Sequence, residues 1–178
     1  MMRDADLIIQ DLFSEEPPRQ AVAIEQAAAL VDDLAAAAAN ALERGHNKFI
    51  VAERLHLLGP AIVPHLQNIA TKSIGQEARV LAALVLLQLK DRTGVPVLLT
   101  AVEESSDYAG LCANHLARAN IDGAQAAIER RLAAAHLDEV DLVVSLIMAL
   151  RTMNRELSPD LIRRFKDGEA PWQIRTLL

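Results

Sequence analysis

Segments of similar sequence recur along the chain, and this repetition restricts the possible folds more than any other feature. The segment Leu55–Ala70 aligns with Leu87–Val102, and in the units that follow Gly94 aligns with Gly123 and Asn120 with Asn154. Each unit contains an apolar helical segment, a short polar turn and a second helical segment. Because a single hairpin cannot bury its apolar stripe alone, a repeat of this length is typical of helical hairpins that stack on one another.

The apolar residues have a helical period throughout the chain. Residues 21–44 place apolar side chains at steps of three and four, and Pro17-Pro18 just before them suits the first turn of a helix. A short helix is expected over residues 6–13. The apolar run Val80–Leu89 follows a polar segment of helical composition, so we interpret it as helix. Since no segment combines two-residue alternation with turn residues at both ends, the sequence predicts an all-α fold.

One unit resembles a HEAT repeat of the short bacterial kind. Its first helix opens with Glu77-Ala78-Arg79 and closes with Leu89-Lys90-Asp91, and Gly94-Val95-Pro96-Val97-Leu98 opens its second helix. The resemblance covers residues 47–178, in which the preceding unit matches in its second helix and later units match in spacing. It implies that Arg79 and Asp91 take part in a hydrogen-bond ladder between repeats. Within this unit we expect Leu84 and Leu98 to face each other.

The resemblance implies a right-handed α-α superhelix, a HEAT-like solenoid of stacked helical hairpins. We expect a single domain over residues 1–178, in which residues 1–46 form N-terminal capping helices and residues 47–178 form about four hairpins, the last one incomplete. The second helix of each hairpin would line an inner, concave surface. The solvent-facing positions expected there, and therefore the partner-binding residues, are His65, Asn68, Glu103, Glu104, Glu129, Arg130, Arg163, Arg164 and Lys166.

Composition excludes several classes of protein. The net charge of −6 opposes a broad nucleic-acid surface, which needs excess positive charge. One cysteine, Cys112, excludes an internal disulfide and a four-cysteine zinc site. The longest uncharged run, residues 55–71, is interrupted by Gly59, Pro60 and Pro64, and the N-terminus lacks the pattern of a signal peptide. We therefore expect a cytoplasmic protein without a membrane or nucleic-acid partner.

The charge is unevenly distributed along the sequence. Residues 1–46 contain nine acidic and three basic residues, whereas residues 151–178 contain six basic and four acidic ones. If sequence order follows an elongated shape, the molecule has an acidic end and a weakly basic end.

The residues that could perform chemistry have simpler structural interpretations. None of the five histidines stands at a metal-binding spacing, so no metal or other cofactor is expected. Cys112 aligns with Ala83 on the inner face of a helix and is expected to be a small buried residue. His115, three residues later, offers a possible base if the thiol is instead a nucleophile. The acidic pairs are adjacent residues, which face about 100° apart on a helix and do not oppose each other as hydrolase carboxylates do. No catalytic residue is predicted.

The leading hypothesis is a non-catalytic protein-binding module. Its most specific form is a small bacterial adaptor or immunity-type inhibitor that neutralises a basic toxin or enzyme. Two alternatives come from enzymes of similar repeat structure, a bilin lyase-like and a DNA-glycosylase-like protein. Both would need aromatic side chains in a binding pocket, and aromatic residues make up only 3% of this chain. Self-association through the C-terminal end is a further possibility.

Overall fold

The computed structural model describes residues 7, 8, 11, 16–104, 107–167 and 170–178, and the part of the chain that it describes is all-α. The helix expected over residues 6–13 lies mostly outside the described residues. Within that range only residues 7, 8 and 11 are described, and all three are helical. The helices, which we number in chain order, are α1 (Pro17–Arg44), α2 (Lys48–Leu55), α3 (Val63–Lys72), α4 (Gln76–Gln88), α5 (Val95–Glu104), α6 (Ala109–Arg118), α7 (Ala124–Ala134), α8 (Val140–Thr152), α9 (Pro159–Asp167) and α10 (Trp172–Arg175), and a 3-10 segment (His56–Ile62) joins α2 to α3.

The helical interpretation of the run Val80–Leu89 is confirmed, since α4 covers nearly all of it. The residues from Val80 to Leu86 are all buried, so α4 is apolar around its whole circumference. A helix of this kind must be enclosed on all sides, and α4 contacts α1, α2, α3, α5 and α6. Helix α4 is therefore the centre of the hydrophobic core.

Three helices, α4, α6 and α8, end in the same backbone conformation. Lys90, Asn120 and Asn154 follow them with φ angles of 65°, 48° and 54°. After each of these residues, the next N–H donates to a carbonyl five residues earlier, at 2.9, 3.1 and 3.0 Å. This is the Schellman arrangement, which pairs carbonyls that would otherwise lack donors. The same backbone geometry thus recurs at the first turn of three successive units.

The even-numbered helices contact one another in sequence order. Helix α2 contacts α4, α4 contacts α6, α6 contacts α8, and α8 contacts α10. Helix α5 packs against both α4 and α6 and also contacts α7, which in turn packs against α6 and α8. The first helix of each repeat unit therefore lies beside the first helix of the next.

Most of the buried residues of helix α1 lie near its C-terminal end. Ala35, Ala39 and Leu42 are buried there, and α1 contacts α2, the 3-10 segment, α3 and α4. Farther toward its N-terminus, Val31 and Leu34 belong to the same apolar stripe but are 45% and 58% exposed. The stripe is therefore only partly buried, although its helical period is as expected.

Candidate functional site

The predicted partner-binding residues of α5 and α7 lie close together. Arg130 Nη2 donates to Glu103 Oε1 at 2.5 Å, although the two residues belong to different hairpins. Glu104 is exposed beside Glu103, whereas Glu129 is half-buried and accepts a hydrogen bond from Gln125 Nε2 at 2.9 Å. The charge of Glu103 is thus offset by Arg130, while Glu104 presents its carboxylate to solvent. We call Glu103, Glu104, Glu129 and Arg130 the α5–α7 surface.

His65 and Asn68, the predicted partner residues of α3, lie near the acidic helix α1. His65 Nε2 lies 3.2 Å from Asp32 Oδ1, which joins α3 to a carboxylate of the N-terminal segment. Asn68 is exposed. Part of the predicted inner surface is therefore engaged with α1.

The three predicted basic residues of α9 differ in their surroundings. Arg163 is exposed and lies 3.9 Å from Asp160, and Lys166 is exposed. In contrast, Arg164 Nη1 donates to the carbonyls of Leu132 at 2.6 Å and Ala133 at 3.0 Å, and its Nη2 donates to Ala135 O. The Arg164 guanidinium thus caps the C-terminus of α7, where carbonyls lack helical partners and a cation is favoured. We therefore leave Arg164 out of the partner surface.

Replacing Arg164 with glutamine is expected to lower the free energy of unfolding by about 1–3 kcal/mol, because hydrogen bonds from a charged donor to the end of α7 are lost. The matched control is Arg163→Gln one position earlier, for which we expect less than about 0.5 kcal/mol because its ion pair is exposed. Urea unfolding followed by circular dichroism measures both. Equal midpoints for the two variants would contradict the capping role.

Arg79 and Asp91 both connect α3 to the following hairpin. Arg79 Nε donates to Ala70 O at 3.4 Å, near the end of α3. Gln67 Nε2 of α3 donates to Asp91 Oδ2 at 2.9 Å, and the backbone N–H of Thr93 donates to Asp91 Oδ1 at 2.8 Å. Hydrogen bonds from the hydroxyl and the N–H of Thr93 hold the pKa of Asp91 below its usual value. Both residues therefore make hydrogen bonds between successive units, as the resemblance implies.

Cys112 is buried, as predicted. It is fully enclosed, and burial raises the pKa of its thiol to about 12. Burial and the charge of Arg118 lower the pKa of His115, which favours the neutral imidazole. A thiol with so high a pKa remains protonated at neutral pH, which disfavours the nucleophilic role considered for Cys112.

A groove that the sequence reasoning missed lies between α2, α4 and α6. Its deeper part is a cavity of about 150 Å³. A more open depression of about 470 Å³ shares Glu53 and Gln88 with this cavity and extends to His56 and Leu89. We call this cavity and its extension the α2–α4–α6 groove. Its deeper part is lined by Phe49, Ala52 and Glu53 of α2, by Leu81, Leu84, Val85 and Gln88 of α4, and by Leu111 and His115 of α6.

An aromatic pair lies at the end of the groove nearest the start of α2. The rings of Phe49 and Tyr108 stack with their centroids 6.5 Å apart. Lys48 Nζ lies 3.2 Å from Glu77 Oε2. Burial, and then the carboxylates of Glu77 and Asp107, raise the pKa of Tyr108. Sequence alone indicates only that Phe49, Ala52, Glu53 and His56 share one face of a helix.

A second cavity lies between α8, α9 and the segment that follows α10. Its volume is about 430 Å³, and Arg151, Arg155 and Glu156 supply its charged side chains. Arg151 Nη2 donates to Leu177 O at 2.7 Å, which ties α8 to the segment after α10.

Leu84 and Leu98, which the sequence predicts to face each other, are both buried in the hydrophobic core. Leu84 also lines the α2–α4–α6 groove, so part of its surface borders that cavity.

Neither a metal centre nor a membrane-spanning helix is found in the described part of the chain. Its residues contain no group of three or more His, Cys, Asp or Glu side chains placed to hold a metal ion. None of the helices that these residues form is both long enough and apolar enough to cross a bilayer.

No protein-family model, no curated protein and no solved structure matches the chain.

Proposed function

We propose that this chain is a non-catalytic protein-binding module of the HEAT-like kind, whose hairpins stack into a right-handed superhelix capped by residues 1–46. The recurring turns at Lys90, Asn120 and Asn154 support this arrangement, as does the row of contacts from α2 to α10. The hydrogen bonds of Arg79 and Asp91 to α3 add a link of the expected type between neighbouring hairpins.

The observation on which the binding role depends most is the meeting of charged side chains on the α5–α7 surface. Glu103 and Arg130 come from successive hairpins, yet their charged groups lie 2.5 Å apart with Glu104 exposed beside them. A surface assembled from several repeats is the usual means by which repeat proteins recognise partners. In its most specific form, the proposal is a small bacterial adaptor or immunity-type inhibitor that binds a basic toxin or enzyme.

The net charge of −6 supports a basic partner, because an acidic protein attracts cations over long distances. Asp32 and Asp33, both exposed on α1, would contribute to this attraction. Such interactions are screened over roughly 8 Å at physiological ionic strength, so they act mainly on the association rate. The exposed cations Arg163 and Lys166 on α9 indicate where an acidic partner would bind instead.

Reversing Glu103 and Glu104 to lysine is expected to slow association with a basic partner by roughly tenfold at low salt and to weaken its salt dependence. The matched control reverses Asp122 and Asp138, which are exposed in turns and give the same change of net charge. A third variant reverses Arg163 and Lys166 to glutamate. The association rate of each variant with a partner captured from lysate is measured by stopped flow at low and at high salt.

The three variants separate the possible outcomes. A decrease confined to the Glu103/Glu104 variant supports the proposed surface. If only the Arg163/Lys166 variant associates more slowly, the partner is acidic and the basic-toxin proposal fails. If all variants associate at the wild-type rate, the α5–α7 surface does not bind the partner.

A further inference from the structure

We propose that the α2–α4–α6 groove binds a short amphipathic helix of a partner protein, one that presents an apolar ridge with a lysine or arginine beside it. This surface lies on other helices than the α5–α7 surface, and nothing in the function proposed above requires it. The inference therefore goes beyond that function and can be tested separately from it.

The lining of the groove extends over about two helical turns on both α2 and α4. On α2, Phe49, Ala52, Glu53 and His56 line the groove at steps of three, four and seven residues from the first. On α4, Leu81, Leu84, Val85 and Gln88 follow the same spacing. A helix extends by roughly 10 Å over two turns. Hydrophobic grooves between helices commonly bind the apolar face of another helix through positions with this spacing.

The floor and one end of the groove offer apolar contacts. Leu81, Leu84 and Val85 are nearly fully buried, and a ligand side chain in the cavity would meet them. Phe49 is 48% exposed although it stacks on Tyr108, so its ring is available to an incoming side chain. Aromatic groups of this kind contribute strongly to binding when a partner covers them.

The charge of the groove determines which helix fits. Glu53 is exposed at the rim of both parts of the groove. None of the ion pairs formed by the described residues involves it. The nearby Lys48 is engaged with Glu77, and the pKa of His115 is lowered by its burial. His56 lines the extension of the groove but does not form an ion pair with Glu53. A ligand that covered Glu53 without a cation would leave a desolvated carboxylate, which is strongly unfavourable. We therefore expect the bound helix to place a lysine or arginine beside its apolar ridge.

The same argument disfavours a second copy of this chain as the occupant. Helix α1 has an exposed apolar stripe that includes Ile24, Val31 and Leu34, and it could in principle enter the groove of another molecule. However, Glu25, Asp32 and Asp33 flank this stripe. They would bring more negative charge to Glu53, which is repulsive at close distance.

The test uses two short stapled helical peptides with leucines at positions i, i+3 and i+7, one with lysine and the other with glutamate beside the middle leucine. Fluorescence polarisation gives their dissociation constants for the full chain. We expect the lysine peptide to bind at least tenfold more tightly than the glutamate peptide. Glu53→Lys is expected to reverse this order, and Phe49→Ser to weaken binding of the lysine peptide at least tenfold.

The controls are chosen to leave the groove intact. Ile50→Ser changes an exposed neighbour of Phe49 that does not line the groove, and Asp122→Lys repeats the charge reversal at an exposed turn outside both proposed surfaces. Both should bind the peptides as the wild type does. Circular dichroism confirms that each variant is folded, which is expected because the changed side chains are exposed.

Three results would overturn the inference. The first is that the two peptides bind equally or not detectably. The second is that Glu53→Lys leaves peptide binding unchanged, and the third is that sedimentation shows self-association of the chain that Phe49→Ser abolishes. Because the peptides require neither a natural partner nor the α5–α7 surface, failure here leaves the proposed function in place. Failure of the charge-reversal experiment on α5 likewise leaves the groove in place.

Discussion

Replacing Leu98 with aspartate is expected to unfold the protein or lower its free energy of unfolding by roughly 4 kcal/mol or more. Leu98 lies on α5 and is fully buried in the hydrophobic core. The substitution removes apolar contacts and places a carboxylate among the apolar side chains of the core. Since domains are stable by only about 5–15 kcal/mol, and each hairpin depends on its neighbours, the loss should extend beyond α5.

Thermal and urea unfolding, followed by circular dichroism, measure this loss. Thr100→Asp introduces the same carboxylate at an exposed position of α5 and should change stability by no more than about 0.5 kcal/mol. If Leu98→Asp melted at the wild-type temperature, Leu98 would not lie in the interior and the register of α5 would be wrong.

Gly94→Ser is expected to cost about 1–3 kcal/mol, because a side chain at this position overlaps with α4. A Cβ atom on Gly94 would lie 2.7 Å from the Cα and 2.8 Å from the Cβ of Ala83. These distances are far below normal carbon contacts, so the two helices of the hairpin would have to separate.

Gly75→Ser provides the matched control for Gly94→Ser. Each glycine immediately precedes a helix, where serine is favourable. A Cβ atom on Gly75 would approach no atom closer than 3.9 Å. Urea unfolding of both variants should therefore show a loss of stability for Gly94→Ser alone, and similar values for the two would contradict the close contact of α4 with α5.

Much of the fold could be predicted from the sequence because helical periodicity and turn residues are local properties. Helix α5 begins at Val95, within the Gly94–Leu98 segment expected to open it, and the run containing Leu84 is helical. The alignment of Asn120 with Asn154 corresponds to two turns of the same backbone conformation. That Lys90 takes this conformation as well was not expected, since a positive φ is uncommon for lysine.

The detailed surface could not be predicted, because it depends on contacts between residues far apart in sequence. Arg163 and Arg164 look alike in the sequence, yet only the latter caps α7. Likewise, Arg130 lies beside Glu103 only because two hairpins bring them together. The α2–α4–α6 groove requires three helices from three separate units, and no motif marks it. Periodicity thus predicts which face of a helix is apolar, and it does not predict what covers that face.

The two proposed surfaces lie on different sets of helices. The α5–α7 surface is charged, whereas the α2–α4–α6 groove is largely apolar with Glu53 at its rim. If both bind protein, the molecule can hold two different segments at once. Such an arrangement favours the adaptor form of the proposed function over a simple inhibitor.

Quantitative capture from a native lysate of the source cells tests the protein-binding role most directly. The chain is immobilised as wild type, as the Glu103/Glu104→Lys variant and as the Asp122/Asp138→Lys control, and retained proteins are measured by mass spectrometry. The proposed function predicts that one basic protein is retained by the wild type and by the control and is depleted from the Glu103/Glu104 variant. Retention of no protein above the blank resin, or equal retention by all three, would contradict it.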